Sequence, residues 1–420
     1  MKESLLILKN RSFLFFWLAA WASTLADAVF MLGVSWLIVD TIGSGLIMGT
    51  FLLIMGVVRS AFMLVAGVYV DRMSPMLLMN LSLVARAVMM GGLMLFLAFG
   101  ELNTWLLYGL AALFGFVDAF FLPSAAAARQ RLVPEEQFTQ SNALLLVASQ
   151  VSMILGPVAG AFLVALGGYQ VMFGTIAVAF LVALFLLSIV RLLPITSDEE
   201  EATTEPEQKK SYWQEVGEGF RYVWNTPIIL TSIVVAMMVN AGVSVLTVAL
   251  PFLADELQVG VEGLGVMTSG MGVGGAIGAI LFSLWVIRRP TPQMNLTACL
   301  IEGLAIMALC MVSGPWVAAV LLAITGITTT AINVIAPSVN QSIIPKAMFG
   351  RVISVMMLAM NGSIPISQAL SGYLVDSLSI WQVFLFGGLL EAGAAFIAFF
   401  LPAIRNYGKE QTNSAHVSMR

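Results

Sequence analysis

Apolar stretches of membrane length recur twelve times along the chain, separated by short polar breaks. They fall at 13–38, 46–70, 76–99, 103–127, 142–166, 170–193, 228–253, 262–287, 294–312, 316–341, 350–376 and 380–404. Each is close to or above the roughly 20 residues a helix needs to cross the hydrocarbon core. The first is too long for the apolar core of a cleavable signal peptide and reads as a span. The longest break runs from Pro194 to about Asn225 and carries Asp198, Glu199, Glu200, Glu201, Glu205 and Glu207, the composition of a solvated acidic linker. Behind it, Tyr212, Val216, Phe220 and Val223 recur at helical spacing, which suits an amphipathic helix on the inner membrane face.

The linker divides the chain into two sets of six spans that resemble each other. Gln130, Pro134 and Phe138 precede the fifth span, and Gln341, Pro345 and Phe349 precede the eleventh, each pair 211 residues apart. Pro123-Ser124 matches Pro337-Ser338, and Gln170-Val171 matches Gln382-Val383, in the same order. Repeated halves around a central site suit alternating access. The expected architecture is an all-α membrane protein of twelve transmembrane helices in two pseudo-symmetric six-helix halves: 1–193, a linker at 194–225, 226–405, and a tail at 406–420.

Composition agrees: 60% of the 420 residues are hydrophobic and 10% charged, against about a quarter charged in soluble chains. With the N-terminus placed in the cytoplasm, inside segments hold 17 of the 19 basic residues, and the other two, Arg59 and Arg86, lie within spans. The outside loops hold none, as the positive-inside rule requires for twelve spans with both termini cytoplasmic. The net charge of −4 gives no sign of nucleic-acid binding.

Several chemistries fall away. Cys299 and Cys310 sit on one predicted helix, about 16 Å apart along its axis, too far to bridge. The single histidine, His416, lies in the tail, and no His/Cys set has metal-ligand spacing. Gly270, Gly272 and Gly275 match a dinucleotide fingerprint, but within a span and without a βαβ unit. Gly270, Gly274 and Gly278, four apart, instead make a flat face for close helix packing. With no phosphate loop, ATP hydrolysis by this chain is not expected.

GVYVDRMSP, from Gly67 to Pro75, resembles the cytoplasmic loop of the major facilitator superfamily. Gly156, Pro157 and Gly160 resemble that superfamily's antiporter signature. The stretch Phe120 to Leu144, and Ser23, Asp27, Trp36 and Ser44 in and after the first span, are similar to its macrolide-efflux-like branch. The loop departs from the family pattern at Pro75 and Met76, where two basic residues are usual, and the fourth span lacks the arginine of many proton antiporters. The resemblance implies a major facilitator fold and a transporter, not an enzyme. It also implies a cytoplasmic gate at Gly67, Asp71 and Arg72, with Asp71 facing the helix that starts near Gly350-Arg351. A plain tight turn with positive-inside charge is the simpler reading of the same residues.

Ionisable groups inside a span cost several kcal/mol and default to functional candidates. They are Asp27, Arg59, Arg86, Asp118, Glu302 and Glu391. In the family's architecture spans 1, 4, 7 and 10 line the cavity. That makes Asp27 and Asp118 the proton-coupling candidates and Arg59, Asn240 and Asn333 the polar candidates of the cavity. Glu302 and Glu391 fall on helices expected at the periphery, as structural pairs or facing neighbouring helices. For Asp27 the bland alternative is a permanent ion pair with Arg59. The expected function is export of a small amphiphilic molecule, a drug or secreted metabolite, by alternating access in exchange for protons. A siderophore or other anionic metabolite, an uptake porter, and a non-transporting scaffold or sensor are the rival readings. The expected partners are the small-molecule substrate, protons and the lipid bilayer, with no nucleic acid, no cofactor and no metal, and with the chain acting as a monomer in the cell membrane.

Reporter fusions after Lys210 and at the C-terminus are expected to report cytoplasm. An outside signal from either would overturn the twelve-span map.

Overall fold

A computed structural model describes residues 7–100, 103–190, 212–285, 287, 289–345 and 348–407, and these are almost entirely helical. Membrane-spanning helices follow the apolar stretches: α1 (Arg11–Thr41), α2 (Gly45–Arg72), α3 (Pro75–Phe99) and α4 (Thr104–Gln130). The next stretch, Phe138–Ser188, is broken where Gly167 and Gly168 leave helical geometry; its arms, 138–166 and 169–188, are α5 and α6. There follow α7 (Tyr212–Asn225), α8 (Pro227–Glu256), α9 (Gly260–Leu284), α10 (Pro292–Ala308), α11 (Pro315–Ile343), α12 (Phe349–Ser377), α13 (Ile380–Phe400) and the short α14 (Pro402–Arg405). Side chains cap several starts: Asn10 accepts from the amides of Ser12 and Phe13, and Ser379 and Gln382 form a reciprocal capping box.

Eleven helical stretches among the described residues are long and apolar enough to span a membrane. The 138–188 stretch counts twice, because the chain reverses at the break. Along its first arm, Trp17 donates to the Leu144 carbonyl, Ala28 packs on Gly156 and Leu32 on Gly160, so α1 and α5 run parallel. Beyond the break, Met172 packs on Gly33 and the Tyr169 hydroxyl donates to Asp40 at 2.8 Å, so α6 returns antiparallel to α1. Gly168 turns the chain at φ +72°, a conformation a residue with a Cβ rarely adopts. Twelve crossings result, as the apolar pattern predicts.

The chain separates into two compact units: the described parts of Met1–Glu207 with Pro251–Ser269, and of Gln208–Leu250 with Gly270–Arg420. Each builds its core from the same helix pairings. In the first, α1 packs on α5 and α6, α2 meets α4 where Gly115 lies on the Met55 carbonyl, and α3 meets α6 where Met94 lies on Gly174. In the second, Asn240 of α8 donates to the Met360 carbonyl of α12 and Val245 of α8 packs on Gly387 of α13. There α9 meets α11 along Gly270, Gly274 and Gly278, and Gly303 of α10 meets Gly388 of α13. Each pairing in the first unit recurs seven labels later in the second, which is the repeat read from the sequence.

Residues facing away from these cores are apolar, as lipid contact requires: Phe99, Leu284 and Leu358 are largely exposed. Exposed Trp105, Trp285 and Trp316 stand at helix ends, where indole rings favour the membrane interface. The amphipathic helix α7 turns Val223 into the core beside Val352, while Phe220 and Trp224 stack outward with ring centroids 6.2 Å apart. Of these three neighbours on the helix surface, Val223 is buried while Phe220 and Trp224 stay exposed. Glu218 of α7 pairs with Arg351 at the start of α12 at 2.5 Å.

A Cβ on Gly274 would stand 2.0 Å from the Ala323 carbonyl oxygen and 2.7 Å from its Cα. Gly274→Ala is therefore expected to destabilise the protein by about 1–3 kcal/mol, the usual cost of overpacking. Thermal unfolding of purified protein in detergent measures this, and an unchanged Tm would contradict the seam.

Candidate functional site

In the first unit four charges from four spans close on one another. Arg86 of α3 is fully buried. Its Nη1 donates to Asp27 of α1 at 3.0 Å and to the Ser23 hydroxyl at 3.3 Å, and its Nη2 donates to Asp118 of α4 at 2.5 Å. Arg59 of α2 takes the other Asp118 oxygen at 3.0 Å. Two guanidinium groups and two carboxylates leave the cluster neutral, the form in which charge is tolerable at membrane depth. The Arg86 guanidinium also lies over Phe121, Phe114 and Phe180, at 4.8, 5.3 and 5.7 Å from their centroids, so ring faces enclose the cation where carboxylates do not.

The alternative reading of Asp27, an ion pair with Arg59, names the wrong arginine: its partner is Arg86, and Arg59 pairs with Asp118. Asp27 and Asp118 share one arginine. The accessible ends of the cluster are Arg59, whose side chain is 41% exposed, and Asp27, at 32%. Arg86 is the member that sequence reasoning did not place. A signal existed for the other pair: α2 and α4 run parallel, and Arg59 and Asp118 each stand 14 residues past the first residue of their helix, hence level with each other.

The remaining cavity candidates meet elsewhere. Asn240 and Asn333 both line a cavity of about 540 Å³ within the second unit, walled by α8, α10, α11 and α12. Asn295 of α10 and Glu302 share that lining, and neither was among the sequence candidates for it. Glu302 lies in the wall, fully buried, and accepts a hydrogen bond from Thr329 of α11. Glu391 of α13, also fully buried, is a near neighbour of Glu302. The second unit also sets polar groups on the corresponding helices: Thr329 follows Asp118 by the same 211 residues that separate the repeated Gln, Pro and Phe, and Glu302 lies on α10, the counterpart of α3.

The antiporter-like motif forms the contact between α5 and α1. A Cβ on Gly156 would reach within 2.4 Å of the Ala28 Cβ, and one on Gly160 within 2.7 Å of Leu32, so both positions permit close approach of the helices. Pro157 is buried inside α5. Of the gate residues, Gly67 and Arg72 belong to the last turns of α2, which runs helical to Arg72 before Met73 and Ser74 break it. Most of the motif is therefore helix rather than loop. Arg72 is exposed and no neighbour crowds Gly67. The Asp71 side chain, together with Lys209, Lys210 and the 191–211 segment, lies outside the described residues.

The chain matches the family model of the Major Facilitator Superfamily over residues 16–300 and again over 233–419. It is 27% identical over 307 residues to the multidrug efflux pump Tap of Mycolicibacterium fortuitum, covering 70% of this chain and 72% of that one. It is 28% identical over 246 residues to the putative bacilysin exporter BacE of Bacillus subtilis, covering 57% and 58%. Among solved structures, the nucleoside transporter NupG superposes with a TM-score of 0.74 at 12% identity, covering 92% of this chain and 98% of that one. A bacterial homologue of the iron transporter ferroportin superposes at 0.68 and 17% identity, covering 93% and 99%. These two show a shared fold.

Arg86→Met is expected to destabilise the protein strongly, because it strands the Asp27 carboxylate and leaves Asp118 with Arg59 alone. Breaking a buried pair costs about 3–5 kcal/mol, and the partial exposure of Asp27 reduces the figure here. Adding Asp27→Asn to Arg86→Met, with the Arg59–Asp118 pair kept, should restore most of the lost Tm. A single variant as stable as the parent would deny the cluster its structural weight.

Proposed function

Because the chain belongs to the major facilitator superfamily of membrane transporters, we propose that it exports a small amphiphilic molecule, a drug or a secreted metabolite, by alternating access and in exchange for protons. The observation that carries this is the Asp27–Arg86–Asp118–Arg59 cluster, a neutral set of charges within the spans whose Asp27 stays partly accessible. A carboxylate held by an arginine in one state and protonated in another couples proton movement to a change of helix packing. The relatives named for multidrug efflux and bacilysin export support the outward direction.

In this proposal Asp27 and Asp118 exchange the proton. The small residues Gly156 and Gly160 let α5 shift against α1 as the packing changes. Gly67, Asp71 and Arg72 form the cytoplasmic gate, and the linker and both termini lie in the cytoplasm. One elementary charge crossing 100 mV releases about 2.3 kcal/mol, enough for a gradient of roughly fiftyfold in a neutral substrate. The exposed side of Arg59 favours a second reading, an anionic substrate such as a siderophore, with that guanidinium as the anion's contact.

The test is accumulation of ethidium, rhodamine and anionic candidates in inverted vesicles, with and without a proton gradient. Parent vesicles should accumulate a compound only with the gradient. Asp27→Asn or Asp118→Asn should reduce accumulation to the level of vesicles lacking the protein, while downhill exchange persists. Normal accumulation by both variants would remove the proton role from these two residues.

A further inference from the structure

The cavity of the second unit is polar without being charged. Glu302 is the one residue of a charged type among the described residues lining it, and it is 0% exposed, so its carboxyl presents no surface there. Four carboxamides do. Asn333, Asn340 and Gln341 of α11 and Asn361 of α12 line the space, Asn340 half-buried and the others exposed. None of these four side chains has a hydrogen-bond partner among the described residues. Asn240 of α8 differs, since it already donates to the Met360 carbonyl at 3.1 Å. Asn333 and Asn340 are seven residues apart, hence on one face of α11 and about 10 Å from each other along its axis. Pro337 stands between them in the same wall, inside the helix. Having no N–H, it denies the Asn333 carbonyl the amide bond that an unbroken helix supplies, which adds a backbone acceptor to that wall.

The chemistry of these groups selects what fits them. A carboxamide sets a donor and an acceptor side by side in one plane. Its full complement is a group that does the same: an amide, a lactam or an imide. An ammonium or a carboxylate brings a charge that nothing open to this space neutralises, which is least tolerable within a span. A polyol would leave much of the wall unmatched, because the remaining lining is apolar. Met357 and Met360 of α12 and Phe349 contribute to it, and thioethers adapt to apolar bodies of varied shape. Size agrees, since about 540 Å³ lies within the usual range of small-molecule sites.

We propose that this cavity binds uncharged molecules carrying an amide or lactam group on an apolar body, the polar group paired with the carboxamides of Asn333, Asn340 and Asn361. The inference rests on the export reading in that it names a substrate class for the transporter, but the site can be tested without transport.

The probe is 1-naphthylacetamide, compared with its N,N-dimethyl analogue, which has no N–H, and with two ions of the same body, 1-naphthylacetate and 1-naphthylmethylammonium. Titration calorimetry of the full chain in nanodiscs at pH 7 measures binding, and empty nanodiscs account for partitioning into lipid. The primary amide is expected to bind about tenfold more tightly than the dimethylamide, the worth of a hydrogen bond whose loss leaves a site acceptor unmatched, and more tightly than either ion. Asn333→Leu and Asn340→Leu keep the bulk and remove the hydrogen bonds. Each should weaken the primary amide more than the dimethylamide, and the double variant should erase the preference between them. Asn361→Leu, on a different helix, makes the same test if an α11 variant fails to fold. Equal binding of the two amides by the parent protein would overturn the proposal, as would an ion bound as tightly as the amide, or a preference that survives the double variant. An amide bound with this selectivity but not accumulated by inverted vesicles would leave the site standing and defeat the export reading. Vesicles that accumulate other compounds while the chain fails to distinguish the two amides would do the reverse.

Discussion

The fully buried guanidinium of Arg86 organises the first half of the molecule. A cation without water must be surrounded by charge and polarisable faces. Here Asp27, Asp118, Ser23 and three phenylalanine rings provide them from α1, α4 and α6. No single helix could satisfy it. The requirement therefore acts as a registration pin: α1, α3 and α4 must meet at this depth, and Arg59 then ties α2 to the same point. In hydrocarbon, where apolar faces match lipid as well as each other, such specific polar closure decides which faces meet.

Closely spaced glycines supply the complementary constraint. Gly115 in the first unit, and Gly270, Gly274 and Gly278 in the second, let backbones touch. Packing uses the same helix pairings in each half, and polar closure shares one of them, α3 with α4 and α10 with α11. What differs between copies is the charge placed at the shared locus: an arginine held by carboxylates in one, a carboxyl pair without an arginine in the other. A repeat of this kind keeps its mechanics while its two copies take on separate chemistry.

Much of this was legible in the residues. The twelve spans followed from apolar length, the reversal at Gly167-Gly168 from the gap between spans five and six, and the glycine face of α9 from its four-residue spacing. The site was legible only in part. Depth along a helix can be read from residue number, which levels Arg59 with Asp118, but azimuth cannot, because lipid-facing and core-facing positions are both apolar in a membrane protein. The alternative for Asp27 therefore named Arg59 rather than Arg86, and the place of Glu302 in a cavity wall could not be read from the helix that carries it. The cavity itself depends on where four helices fail to touch, a property of no single segment.

The glycine seam between α9 and α11 has a mechanical consequence. Contacts made through side chains yield by rotamer changes, whereas carbonyl oxygens resting on a neighbour's α-carbons have nothing to rotate. The two helices therefore behave as one stiff strut, and Thr329 and Asn333 are mounted on it. The facing wall on α12 is upholstered with methionines. The cavity is thus bounded by the stiff helix pair at α11 and by flexible thioethers on α12, and its shape can adjust on one of these sides only.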